Sequence, residues 1–441
     1  MPGPRVHRSR GLPPVPSAMF ALFLFAACPP AAGQDGRAPW PTIGQIRVTG
    51  NRRLSAEKII AASGLRPGIP ATEHALEEAA SRLANTGAFS DVGYQYLPDG
   101  KFWDAMIQVV EVQQSLPCIF DNFVWFPDAE LKAAVERAVP LFDGSMPVSR
   151  GMQDAVTAAL DRYLHDHQIQ GATTIRPATD LSRHFKVLLL HVNGVSMPVK
   201  DVEVAGGPLG AAAVREVAHG ILASDYSQHT SEFWAHTALT ESYQDEGYLQ
   251  PRFSTPSVAI VDPAGKDPSQ GVIVKFTAAP GLRYTWAGVS WTGNEAVTAE
   301  QLSKLMPLAT GDIARRSSTL AGWQAVRKEF GRWGYLAADV TTTPVFDDHA
   351  GTVHYNALIT QGPQFTMGDL VVDDPSPLVV QAVTVAWKLK RGDVYSTDAE
   401  QDSIQEILLI QPSLRRADKH LISSRSLNLD KHTVRMLLKF E

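Results

Sequence analysis

Apolar and polar side chains alternate along residues 44–49, which is the pattern of a half-buried β-strand. Two stretches with helical spacing follow. Ser55 can cap the first, and Thr72 opens the second, whose apolar residues recur every three or four positions. Two further strand-like stretches, around Phe89–Tyr96 and Met106–Val112, flank an Asp-Gly hairpin signal. The order β-α-α-β-β predicts an α+β domain, a three-stranded sheet with two helices on one face.

The same order of elements returns at intervals of about 80 residues, which indicates tandem copies of one small domain. Residues 281–289 and 362–370 form the clearest pair, because aromatic, large apolar and glycine positions coincide between them. The turn after the first helix places glycine at positions 68, 144, 311 and 392. The missing copy of this glycine is expected near Ser224 and Asp225 in the third repeat.

A chain of 441 residues is too long for a single hydrophobic core. The repeat predicts five modules, numbered first to fifth below, with boundaries at 43–114, 116–196, 197–280, 281–362 and 363–441. Capping boxes are expected at Thr298 with Gln301 and at Thr397 with Glu400. Trp234 and Trp323 occupy core-facing positions of second helices, so both are expected to be buried.

The N-terminus has the features of an export signal. A basic stretch with Arg5, Arg8 and Arg10 precedes an apolar run at 18–27, which suits a signal peptide and is too short to span a membrane. Cleavage after Gly33 would leave a mature periplasmic protein. Cys28 leaves a second possibility open, since lipidation there would anchor the chain to a membrane instead.

Charge and motif content narrow the function classes. The net charge of −6 gives no basic footprint for nucleic acid. His165 and His167 are two positions apart and do not share a helical face, so we expect no metal site there. We find no linear signature of a catalytic triad, a phosphate-binding loop or a cofactor, and we predict a protein that is not an enzyme.

Three short motifs stand in order within the first repeat, Ile46–Asn51, Leu65–Gly68 and Gly87–Val92, and two junction motifs, Pro280–Tyr284 and Gly362–Phe365, lie one period apart. By these motifs the chain resembles the POTRA (polypeptide-transport-associated) domain over nearly all of its predicted mature length. The resemblance implies an array like the periplasmic region of the BamA and TamA outer-membrane assembly factors. Those proteins continue into a membrane β-barrel that we do not expect here, so insertase activity is not carried over.

In POTRA domains the second strand lies at the sheet edge, and the resemblance implies that partners add to it as a further strand. The expected partner-binding positions are Val92, Tyr94, Tyr96, Thr173, Ile175, Val340 and Thr342. Pro251 would remove one donor from the edge of the third module. The expected partners are an outer-membrane β-barrel protein or assembly complex and unfolded outer-membrane client proteins. Association with the membrane would be peripheral or through a partner, with no small-molecule substrate.

We therefore interpret the chain as a periplasmic adaptor or holding platform in outer-membrane protein assembly or export. Two alternatives stay open. A structural cell-envelope scaffold would bind one fixed partner, and an enzyme could have a site without a linear signature. The sequence also leaves open whether a barrel partner is encoded separately.

Overall fold

The computed structural model describes residues 5–8, 41–180, 185–262, 264, 266–410 and 420–440. Most of the predicted leader, and Cys28 with it, lies outside these residues. The strands are β1 Arg5–Arg8, β2 Thr42–Thr49, β3 Phe89–Asp99, β4 Phe102–Glu111, β5 Ser115–Phe120, β6 Ser145–Pro147, β7 Ala172–Asp180, β8 Phe185–Asn193, β9 Val199–Ala205, β10 Arg252–Phe253, β11 Ser257–Ile260, β12 Val272–Ala279, β13 Thr285–Thr292, β14 Asp339–Asp347, β15 Thr352–Thr360, β16 Thr366–Asp373, β17 Leu421–Asn428 and β18 Thr433–Phe440.

The α-helices are α1 Ala56–Ser63, α2 Glu73–Asn85, α3 Asp128–Ala138, α4 Arg150–Asp166, α5 Ala211–Val217, α6 Gln228–Trp234, α7 Thr240–Asp245, α8 Ala299–Lys304, α9 Arg316–Arg332, α10 Pro377–Ala386 and α11 Thr397–Ile410. Single turns of 3-10 helix cover Ala218–Gly220 and Pro268–Gln270, and Ala235–Leu239 form a π-helix. Within the described ranges, no helix is both long and apolar enough to cross a membrane.

The chain divides into two compact units, and the division runs through the third module. The N-terminal unit consists of Met1–Glu203, Ala218–His236 and Thr255–Lys275. The C-terminal unit consists of Val204–Val217, Thr237–Ser254 and Phe276–Glu441.

The sheets follow one plan. In the first, second, fourth and fifth modules the last strand lies between the other two, parallel to the first strand and antiparallel to the second. The strand orders are β1-β3-β4-β2, β6-β5-β8-β7, β13-β15-β14 and β16-β18-β17. In the third module β12 pairs with β9, β10 and β11. The predicted α+β fold of tandem β-α-α-β-β repeats is confirmed, and short extra strands extend some of the sheets.

Helix and core positions follow the hydrophobic pattern. Trp234 and Trp323 are both 5% exposed, as predicted. In the fourth module the Trp323 ring lies 5.7 Å from that of Tyr355, which stacks on Trp286 at 5.3 Å. These contacts form the centre of that module's core.

The two predicted helix starts have different outcomes. Thr298 and Gln301 form the expected capping box. The prediction for Thr397 is wrong, because α11 is capped one residue earlier, where the Ser396 hydroxyl accepts the N–H of Ala399. Thr397 is instead the first helical residue, and its side chain lies against Gly331 of α9.

A residue with positive φ forms a backbone hydrogen bond between the turn after the first helix and the first strand. Gly68 N donates to Ile43 O at 2.8 Å, and Gly311 and Gly392 repeat this contact in the fourth and fifth modules. In the third module the position is taken by Ala223, one residue before the predicted place, with φ of 63°. Ala223 N makes the same bond, to Val199 O at 2.9 Å. The repeat therefore conserves a backbone conformation that alanine adopts with strain.

We expect Ala223→Gly to raise the free energy of unfolding by about 1 kcal/mol, because glycine adopts this conformation without a steric penalty. Gly311→Ala should lower it by a similar amount. A Cβ at Gly311 would meet no atom within 4 Å, so only the backbone angle is tested. Urea unfolding followed by circular dichroism measures both changes. Equal stabilities of Ala223→Gly and the unaltered chain would show that no strain is stored there.

A carboxylate closes the loop between β2 and α1. Glu111, at the end of β4, accepts the backbone N–H groups of Arg52, Arg53 and Leu54 at 2.7 to 3.1 Å. Burial of the Glu111 carboxyl works against ionisation, but these hydrogen bonds outweigh it, and the pKa of Glu111 is lowered. In the fourth module the neutral side-chain amide of Gln361 closes the corresponding loop, and its oxygen accepts the N–H of Ala296 at 2.8 Å.

This difference predicts a pH effect confined to the first module. The pKa of Glu111 is lower in the folded state, so its stabilisation is complete above the unfolded pKa of about 4.5 and is lost as pH falls through the folded value. Glu111→Gln should remove part of the acid sensitivity of the first module, and Gln361→Glu should introduce such sensitivity in the fourth. Thermal unfolding from acidic to neutral pH measures this. An unchanged acid profile in Glu111→Gln would contradict the assignment.

Candidate partner-binding edges

The structure places two of the three predicted edges at the rim of a sheet. β7 and β14 each pair with one described strand, β8 and β15 respectively. β3 would be the edge of the first module, but β1 pairs with it in parallel, and residues 5–8 lie opposite residues 91–94. The backbone of Val92 and Tyr94 thus already faces an added strand. This pairing shows that the β3 edge has room for a fourth strand.

Native prolines indicate which backbone groups face outwards. In an antiparallel pair, residues alternate between those bonded to the partner strand and those whose N–H and C=O point away from it. Pro98, Pro177 and Pro344 lie in β3, β7 and β14. Proline is tolerated where the missing N–H faces outwards. All seven predicted positions are an even number of residues from the proline of their own strand, so they share its outward orientation.

Side-chain contacts confirm this orientation in two strands. Val340 O, at the start of β14, accepts a hydrogen bond from Arg327 Nη2 at 3.3 Å. Thr173 N, in β7, donates to Asp161 Oδ1 at 2.6 Å. The donor of Thr173 is therefore occupied, and this position is less suited to partner binding than the sequence suggested. Ile175 lies between this occupied donor and Pro177, so β7 offers few unpaired backbone groups to an added strand.

The third module lacks a continuous second strand within its described residues. β10 and β11 both pair with β12, and they are separated by Ser254, Thr255 and Pro256. Pro251 immediately precedes β10 and lies outside it. The edge of this module is therefore short and interrupted.

The predicted positions would act through their backbone, because their side chains mostly belong to module cores. Val92, Tyr94, Thr173 and Val340 are less than 9% exposed. The Tyr96 hydroxyl donates to Thr72 O, and burial, with smaller contributions from Tyr94 and Glu73, raises the pKa of Tyr96 to about 12. Fixed core side chains hold the strand backbone straight, which is what pairing with an extended segment requires.

Hydrogen bonds join successive modules in the C-terminal unit. Tyr284 N donates to Gly247 O at 2.9 Å, and Phe365 N donates to Gly334 O at 2.8 Å. Each glycine follows a second helix and directly precedes a tyrosine, Tyr248 or Tyr335, and both glycines have positive φ. Arg315 Nη1 adds a bond to Asp245 O at 2.8 Å. The aromatic residue that opens each of these modules is thus tied to the glycine that follows the second helix of the previous module.

A buried carboxylate plays the corresponding role in the N-terminal unit. Asp121 is 3% exposed and lies after β5. Its Oδ1 accepts Ser227 Oγ at 2.7 Å and His229 N at 3.0 Å, and its Oδ2 lies 2.9 Å from His191 Nδ1. Gln228 N donates to Asp121 O at 2.7 Å. One residue of the second module therefore holds the start of helix α6 in the third.

We expect Asp121→Ala to lower the free energy of unfolding by about 3 kcal/mol, because it leaves the half-buried donors of His191, Ser227 and His229 without their acceptor. Asp154→Ala, on the exposed face of α4, is the matched control and should change stability by less than about 0.5 kcal/mol. Chemical unfolding compares the two. A change as small as that of the control would show that Asp121 does not hold this junction.

The histidine pair at the end of α4 has a structural role. The His167 ring packs on Tyr163 and Phe126, with centroids 4.4 and 4.9 Å away. Among the residues described by the structure, no group of three or more His, Cys, Asp or Glu side chains could hold a metal ion.

Comparison with known proteins bears on the family. The sequence profile of the POTRA family, described as a surface antigen variable number repeat, matches residues 41–111 and 284–362. These two regions are therefore similar in sequence to POTRA domains. They correspond to the first and fourth modules, in which β2-α1-α2-β3-β4 and β13-α8-α9-β14-β15 show the full order of elements.

Three individual proteins show the range of similarity. A Treponema pallidum protein named as an outer membrane protein assembly factor is 21% identical over 38% of this chain, and the chain covers 20% of its length. The POTRA3-5 region of Haemophilus influenzae BamA is 17% identical, with 55% of this chain and 96% of that one covered and a TM-score of 0.41. The POTRA1-3 region of Omp85 from Anabaena is 14% identical, with 56% and 95% covered and a TM-score of 0.26.

Proposed function

We propose that this chain is a non-enzymatic periplasmic adaptor or holding platform in outer-membrane protein assembly or export. Its partners would be an outer-membrane β-barrel protein or assembly complex and unfolded outer-membrane client proteins. The POTRA domains support this proposal, as does the name of the Treponema pallidum relative. Residues 1–33 would direct export and be removed, and the five modules would keep the boundaries derived from the repeat. Membrane association would be peripheral or through a partner.

Binding would occur by strand addition, and the observation that carries this proposal is the pairing of β1 with β3. An added strand satisfies the outward N–H and C=O groups of the edge, so the backbone supplies the affinity. Such pairing depends little on sequence, which suits a protein that meets many different clients. The fourth module offers a second edge at Thr342, between the Arg327 contact and Pro344.

A fixed scaffold is the second candidate, and the module junctions favour it. The bonds from Tyr284 to Gly247 and from Phe365 to Gly334 would restrain neighbouring modules in the C-terminal unit. A restrained array suits one partner of defined shape better than many unfolded ones. The two candidates differ in the number of proteins that they bind.

Crosslinking of the mature protein in its native envelope, followed by mass spectrometry, separates these candidates. A platform should be recovered with an assembly complex and assorted barrel proteins. A scaffold should be recovered with one stoichiometric partner. Recovery of neither class would count against both.

Proline substitution tests the edge of the fourth module. Thr342→Pro should weaken binding of a urea-unfolded barrel protein at least threefold, because it removes an outward donor, while the module stays folded. Thr341→Pro removes a bond to β15 and should lower the free energy of unfolding by about 2 kcal/mol or more. Light-scattering assays of client holding and thermal unfolding are the readouts. Unchanged client holding in Thr342→Pro, and in Tyr94→Pro within a chain that begins at residue 34, would contradict strand addition.

A further inference from the structure

An aromatic loop in the second module has no counterpart in the POTRA domains of the first and fourth. There, the turn after the first strand is Gly-Asn, and the amides of Asn51 and Asn294 bond to the loop backbone at 2.9 Å. In the second module the turn is Asp121-Asn122, and Phe123–Pro127 follow. Phe123 is buried, whereas Val124, Trp125 and Phe126 are half-buried. Three neighbouring apolar side chains partly in contact with solvent need an explanation.

The loop forms one wall of a cavity of about 530 Å³ in the N-terminal unit. Phe123, Trp125 and Phe126 line it from the loop, and Tyr226 lines it from the segment before α6. Thr255–Val258, at the start of β11, also line the cavity. This volume suits one or two large side chains. β11 is the last described strand on its side of the sheet, so an extended segment could lie beside it.

Several contacts fix the cavity in shape. Trp125 Nε1 donates to Lys266 O at 2.9 Å, and the Phe126 ring packs at 5.1 Å from that of Tyr163. Asp121 holds the loop start against Ser227, next to Tyr226. A cavity with fixed walls loses little conformational entropy on binding.

The charged groups that line the cavity indicate the chemistry of the molecule that would bind there. Asp128, in the first turn of α3, is the one charged side chain among the described residues that line the cavity, and no cation lines it. Asp128 remains exposed at the cavity, while partial desolvation raises the pKa of its carboxyl, and a nearby cation would favour the ionised form. Aromatic rings also attract cations through their faces. The lining therefore complements a positively charged group beside a large apolar one.

We propose that this cavity is a docking site for an extended segment of a partner protein that carries an aromatic residue next to arginine or lysine. The aromatic side chain enters between Trp125 and Tyr226, and the cation pairs with Asp128. This site lies apart from the β3 and β14 edges and goes beyond the proposed strand addition, since it selects a partner by side-chain chemistry.

The test uses the mature full-length chain and labelled peptides of about ten residues, long enough to span a strand. One peptide carries Phe-Arg at its centre, and its counterparts carry Phe-Gln or Ala-Arg. Asp128→Lys should weaken binding of the Phe-Arg peptide about tenfold and leave the Phe-Gln peptide within twofold, since it reverses one charge at the cavity. Asp154→Lys, on the exposed face of α4, is the matched control and should leave both peptides unaffected.

A second variant tests the volume of the cavity. Thr255→Trp places a bulky side chain at an exposed position of its wall and should abolish binding of both Phe peptides. Equal affinity for the Phe-Arg and Ala-Arg peptides, or no effect of Asp128→Lys and Thr255→Trp, would overturn the proposal. Thr342→Pro should leave peptide binding unchanged, which separates this site from the fourth-module edge. Loss of peptide binding in Thr342→Pro would place the peptide on that edge instead and also overturn the proposal.

Discussion

The arrangement of each module depends on one backbone constraint, the central position of its last strand. That strand pairs on one side with the first strand, in parallel, and on the other with the second, so the second strand has one side of its hydrogen-bonding groups unpaired within the module. The neighbours of these unpaired backbone groups differ from module to module. Asp161 caps the donor of Thr173, Arg327 caps the acceptor of Val340, and β10 and β11 are too short to present a long edge. Unpaired backbone groups are therefore distributed unevenly among modules of similar fold.

The junctions between successive modules also depend on backbone groups that have no partner within their own module. A helix that ends at a glycine with positive φ leaves a carbonyl facing away from the helix, and the N–H of the next module's first aromatic residue meets it. This contact needs no particular side chain beyond the glycine, which explains why it recurs at Gly247 and Gly334 while the surrounding sequence differs. Asp121 achieves the corresponding attachment to α6 with a buried carboxylate. Because a carboxylate needs several donors to be buried without cost, that junction is specified by side chains and is more sensitive to single substitutions.

The sequence pattern correctly predicted the features that depend on residues close together in the chain. Element order, the core positions of Trp234 and Trp323, and the capping box at Thr298 depend on periodicity and on neighbours within a few residues. The start of α11 was misplaced because Ser396 and Thr397 are both good caps and only packing against Gly331 distinguishes them. Ala223 was missed as the turn residue because its left-handed conformation is imposed by the bond to Val199. Asp121 meets partners 70 and 106 residues away, and the capping of Thr173 also depends on tertiary proximity, so neither has a signal in the sequence pattern.

The edges and the aromatic cavity represent two kinds of recognition with opposite physical requirements. Strand addition uses backbone N–H and C=O groups, which nearly every residue carries. It would therefore accept segments of many sequences with little selectivity among them. The cavity beside Trp125 excludes water from a few side chains and contains one carboxylate, so its affinity varies with the identity of the occupant. A platform that used only edges would retain any extended chain, including segments of unrelated proteins. The proposed selective cavity in the N-terminal unit would allow such a protein to keep one position relative to a chosen partner, while its edges would bind and release clients of varied sequence.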